Sequence, residues 1–122
     1  MYINDELIDA ETYRTLAKST NNEETAAVLN AIANDEDEHA DMFSKLYKMM
    51  TGYTFQPDPV RLPPMLPLKA ALKKRIGEET AASKKYRNEA LENQDKFRLR
   101  NAFIKAAHDE ALHAILILSL DR

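Results

Sequence analysis

Apolar residues recur at helical spacing in four stretches of the chain, separated by short polar turns and one proline-rich segment. The first stretch predicts a helix from about Asn4, read as its N-cap, to Lys18, with Ile3, Glu6, Ala10, Tyr13 and Ala17 facing inward. "STNNEE" (Ser19 to Glu24) then reads as a turn followed by a helix start. A second helix is expected from about Glu23 to Met50, with Leu29, Ile32, Glu36, His39, Phe43, Leu46 and Met50 in line. Residues 52–67 open on a helix-ending glycine, Gly52, and hold all five prolines, so they cannot be helical throughout. The third helix is predicted from about Leu68 to Leu91 through Leu72, Ile76, Glu79, Ala82, Tyr86 and Ala90. "ENQD" (Glu92 to Asp95) is the last turn, and a fourth helix follows through Leu99, Phe103, Ala106, Glu110, His113, Ile117 and Leu120. The expected fold class is all-α: a single domain over residues 1–122, built as a four-helix bundle. Two antiparallel hairpins, about 3–51 and about 68–121, are joined by a long crossover at 52–67.

Six residues sit where these stripes call for apolar side chains: Glu6, Glu36, His39, Glu79, Glu110 and His113. They are also arranged in duplicate. Glu36 to Glu110 and His39 to His113 are offsets of 74, while Glu6 to Glu79 and Tyr13 to Tyr86 are offsets of 73. A repeated helical hairpin is the economical reading. In an antiparallel hairpin, residues equidistant from the turn lie at one height, because both helices rise equally per residue. The midpoint of Glu6 and Glu36 is Asn21, and that of Glu79 and Glu110 falls between Gln94 and Asp95. Both midpoints lie inside the turns, so each hairpin sets its lone glutamate level with its Glu-x-x-His pair. Glu78 competes with Glu79 for the third-helix position, and the seven-residue spacing to Tyr86 favours Glu79.

Composition narrows the function classes. A net charge of −3 with both signs interspersed leaves no basic footprint for nucleic acid. No stretch is long and apolar enough to span a membrane, and the first residues carry no signal-peptide pattern, so a cytoplasmic location is the default expectation. The absence of cysteine excludes disulfides and thiolate-bound metal or iron–sulfur centres.

The remaining chemistry is oxygen and nitrogen ligation. Residues three apart on a helix share a face, so Glu36 with His39, and Glu110 with His113, can reach one centre. Four carboxylates turned into a core would carry charge that low dielectric penalises by several kcal/mol per unpaired ion. Two divalent cations would neutralise it, and two imidazoles complete a donor set suited to iron or manganese. One Glu from each of two helices with Glu-x-x-His from the other two is the ligand pattern of dinuclear carboxylate bundles.

On these residues the chain resembles the rubrerythrin branch of the ferritin-like superfamily over nearly its whole length. "ELIDAETY" (Glu6 to Tyr13) and "EDEHADMF" (Glu36 to Phe43) resemble that family's first hairpin; "EETAASKKY" (Glu78 to Tyr86) and "EALHA" (Glu110 to Ala114) resemble its second. The resemblance implies that Glu36 and Glu110 bridge two metal ions, that Glu6 and Glu79 are terminal carboxylates, and that His39 and His113 each cap one ion. It further implies a non-haem di-iron oxidoreductase reacting with hydrogen peroxide or dioxygen, with an iron-binding ferroxidase for storage or delivery as the alternative. The chain departs from the pattern in two places. Rubrerythrins proper carry a further carboxylate three residues from the third-helix ligand, where this chain has Ile76 and Ala82. They also carry a cysteine-rich electron-delivering domain, so here electrons would come from an external donor.

Metal-bound histidines generally donate their second N–H to a carboxylate or carbonyl. Asp35 and Asp109 precede the two paired glutamates at equivalent positions, and are expected to serve His113 and His39 respectively. Tyr13 and Tyr86, two turns from Glu6 and Glu79, are candidates to hydrogen-bond ligand carboxylates. His108 and the run Met42, Phe43, Tyr47, Met49 and Met50 read as surface and packing residues. Helix two outruns helix one at its far end; either the proline-rich segment or a second subunit could cover that apolar overhang, and a homodimer is expected.

Overall fold

The computed structural model describes residues 2–120, and all regular structure among them is helical: α1 (Tyr2–Lys18), α2 (Glu23–Thr51), α3 (Leu68–Glu92) and α4 (Phe97–Ser119). No strand occurs among the described residues, and four helices of this length match the all-α expectation. The last predicted position of the second hairpin, Asp121, lies outside the described residues. The chain forms two compact units that part between Met65 and Leu66, one holding α1 and α2, the other α3 and α4.

In the first unit α1 and α2 pack along each other, returned by the turn at residues 19–22. That turn is built by side chains. Asn22 stands at the N-cap of α2, where its Oδ1 accepts from the Thr25 amide at 3.0 Å, and Thr20 Oγ1 accepts from the Asn22 amide at 3.2 Å. Glu23 and Glu24 in the first turn complement the partial positive charge of the helix start. At the other end Gly52 takes φ 81°, a left-handed conformation that costs glycine little, and its amide closes on the Lys48 carbonyl at 2.8 Å. A part-buried pair between Arg14 and Asp37 ties the two helices.

Asn4 is not the cap of α1, because the helix already runs from Tyr2. Its side-chain amide instead holds the proline-rich segment: Nδ2 donates to Asp58 Oδ2 and Oδ1 accepts from the Asp58 amide, both at 3.1 Å. Phe55 from the same segment meets Tyr47 of α2 edge-on, with ring centroids 5.3 Å apart. The predicted inward stripe of α2 fades after Phe43. Leu46 is half-buried and Met50 is exposed, both lying beyond the level of Tyr2, where α1 starts among the described residues.

In the second unit α3 and α4 pack together across residues 93–96. The Ser83 hydroxyl of α3 donates to the Ala107 carbonyl of α4 at 2.8 Å, and the Tyr86 and Phe103 rings stack with centroids 6.0 Å apart. Neither helix start has a side-chain cap; Pro67 and Lys96 occupy those positions. The buried stripe of α3 also differs from its prediction. Ala71 and Arg75 are buried, whereas Leu72 and Ile76 are only half-buried.

Candidate metal centre

Each unit carries one cluster of two glutamates and a histidine. In the first, Glu6 comes from the second turn of α1, while Glu36 and His39 lie one turn apart near the middle of α2. All three are at most 1% exposed. His39 Nδ1 lies 3.4 Å from Glu6 Oε2 and 3.6 Å from Glu36 Oε1. In the second, Glu79 comes from the middle of α3, with Glu110 and His113 on α4. These are equally buried, and His113 Nδ1 lies 3.4 Å from Glu79 Oε2 and 3.3 Å from Glu110 Oε1. The near-identity of the distances is the repeat in sequence expressed in space. Glu78, the competing residue of α3, is exposed.

Within each triad the residues offer one ligand atom apiece, all within 4.8 Å of one another. Two carboxylates and an imidazole nitrogen at that separation are hard and borderline donors of the kind that bind iron or manganese. Buried carboxylates gathered without compensating charge would be costly, so a cation fits both the donor chemistry and the electrostatics of each triad. It is Nδ1 of each histidine that faces the carboxylates, so the far ring nitrogen, Nε2, is the one left to receive support from elsewhere.

A family model described as Rubrerythrin matches residues 2–114, which takes in all six of these side chains. The chain belongs to the rubrerythrin family, a ferritin-like di-iron family. No curated protein and no solved structure matches the chain.

The other candidate residues are placed less uniformly. Tyr13 and Tyr86 are buried, Tyr13 completely, at equivalent points of the two rubrerythrin-type hairpins. Asp35 and Asp109 are half-buried, and Asp109 Oδ2 also accepts from Lys105 Nζ at 2.7 Å, one turn back on α4. His108 is exposed.

Sequence reasoning missed Arg75. It is 9% exposed, and its Nη2 lies 3.4 Å from Glu79 Oε1. The signal was present, because position 75 is four residues before Glu79 and therefore on its face of the helix. A search for ligands alone passes over a cation.

Proposed function

We propose that the two triads together hold two metal ions, most naturally iron and otherwise manganese, and that the protein is an oxidoreductase acting on hydrogen peroxide or dioxygen. The observation that carries this reading is the pair of buried Glu, Glu, His clusters, alike in distance and burial, in a chain of the rubrerythrin family. Glu6 and Glu79 would serve as terminal ligands, Glu36 and Glu110 as the shared ones, and His39 and His113 would ligate through Nδ1. Two ferrous ions held there would supply the two electrons that divide an O–O bond, with water as the product from peroxide.

The chain's own part is to position and to exclude. Burial to 1% exposure or less keeps bulk water from the ligand carboxylates, which strengthens their attraction for a cation. Asp35 would hold Nε2 of His113, and Asp109 that of His39, fixing ring tautomer and orientation. Tyr13 and Tyr86 would hold ligand carboxylates by hydrogen bonds. An external donor would return the electrons.

Rapid mixing of the diferrous protein with hydrogen peroxide tests the reading. Oxidation much faster than in Glu36→Ala is expected, and equal rates would end the proposal. Iron counted after aerobic loading separates catalysis from storage: about two ions per chain is expected here, whereas a large mineral load would favour the ferroxidase alternative.

A further inference from the structure

The two triads match in distance but not in their surrounding charge. The offset of 73 that carries Glu6 onto Glu79 carries Tyr2 onto Arg75. Tyr2 bears no charge, and its ring lies 6.1 Å from that of Phe43. Arg75 carries a permanent positive charge, has a side chain only 10% exposed, and sits one helical turn from a ligand.

Its contacts divide the two oxygens of Glu79. Oε1 lies 3.4 Å from Arg75 Nη2, while Oε2 lies 3.4 Å from His113 Nδ1. A second guanidinium nitrogen, Nη1, is 3.9 Å from Glu78 Oε2. The guanidinium therefore turns one Glu79 oxygen toward the triad and holds the other. It also offsets part of the negative charge that would attract a cation, and at this burial solvent screens that opposition weakly.

We propose that Arg75 is a positioning residue that makes the two metal positions unequal. It lowers cation affinity at the triad of Glu79, Glu110 and His113 relative to that of Glu6, Glu36 and His39, so the sites fill in order. This inference rests on the dinuclear reading. Without metal, the same residue supports the fold by compensating a buried carboxylate. The two effects oppose each other: removing the guanidinium weakens the metal-free protein and strengthens binding of the second ion.

Calorimetric titration of the metal-free full chain with Co²⁺, alongside thermal melts with and without the ion, tests this. The wild type is expected to take up two ions in two resolved steps. In Arg75→Met the weaker step should tighten by at least about ten-fold, so that the steps merge. Arg75→Lys, which keeps the charge, should retain two resolved steps. The metal-free Tm of Arg75→Met should fall, while its gain on saturation with Co²⁺ should exceed that of the wild type. An arginine serving only as packing would lower both melts alike and leave the two steps unchanged. Two ions bound by the wild type with unchanged steps in Arg75→Met would overturn the role of Arg75 and leave the dinuclear reading intact. No uptake by the wild type would overturn that reading itself. If Arg75→Met does not fold, Arg75→Gln, polar but uncharged, carries the same expectations.

Discussion

The hairpin of α1 and α2 and the hairpin of α3 and α4 keep the same ligand-type residues, and Tyr13 and Ala17 recur as Tyr86 and Ala90, but several contacts around them differ. Ala10 and Ala33 in the first become Ser83 and Ala107 in the second, where the serine hydroxyl now reaches across to the alanine carbonyl. Arg14 and Asp37, which join α1 to α2, fall on Arg87 and Ala111, which cannot form that pair. Leu29 becomes Phe103 and gains a stacked tyrosine. Divergent packing and hydrogen bonding leave the triads alike to within 0.3 Å in their histidine-to-carboxylate distances, which run from 3.3 to 3.6 Å. Individual packing contacts can vary while the height and face of three side chains are kept, because helix rise and turn position set both.

The largest test of that likeness concerns the ligands. Glu36→Gln and Glu110→Gln each remove one buried negative charge, the second from a triad whose Glu79 already has the Arg75 guanidinium beside it. Both should stabilise the metal-free protein, by about 1–4 kcal/mol, because a buried carboxylate costs more than an amide of the same shape. Both should also lose the stabilisation that Fe²⁺ gives the wild type, about 4 kcal/mol at a thousand-fold excess over Kd. Anaerobic thermal melts with and without Fe²⁺ read both signs together. A variant that kept the stabilisation by Fe²⁺ would break the equivalence of the hairpins as ligand-bearing units.

Core truncation at one repeat position comes next. Phe103→Ala should cost about 3–5 kcal/mol and Leu29→Ala about 2–4 in urea unfolding, since the phenylalanine also loses its stack on Tyr86. Equal costs would mean that the aromatic pair adds nothing beyond burial.

The helix starts give a smaller contrast. Asn22→Ala should lose about 1 kcal/mol with the Thr25 hydrogen bond, whereas Lys96→Asn should gain a few tenths to about 1 kcal/mol by capping α4. The Arg14 and Asp37 pair should give the least. Both side chains are more than a third exposed, so a double-mutant cycle should return well under about 1 kcal/mol and fade with salt.

Much of this was legible in the sequence because helices translate spacing directly into facing. All four helices, the turn and helix start within Ser19 to Glu24, the stop at Gly52 and the burial of Glu6, Glu36, His39, Glu79, Glu110 and His113 follow from periodicity and turn chemistry. What spacing cannot supply is the extent of a partner. Met50 falls on the inward stripe yet is 56% exposed, because its burial depended on where α1 begins. Asn4 has the composition of a cap, but its amide is used by Asp58, a contact 54 residues distant that no local pattern encodes. Arg75 lies on the right face, four residues before Glu79, but neither an apolar stripe nor a ligand pattern marks a buried cation. The preference of the α3 stripe for Ala71 and Arg75 over Leu72 and Ile76 is a small rotation that hydrophobicity alone points the wrong way.

The claim on which the rest depends is that these six buried side chains take up a pair of cations. Anaerobic loading with Fe²⁺, removal of unbound metal and elemental analysis measure it directly. The account predicts two ions per chain, falling to one or fewer in Glu36→Gln. A wild type that retains no iron, or a variant that retains as much as the wild type, would contradict it.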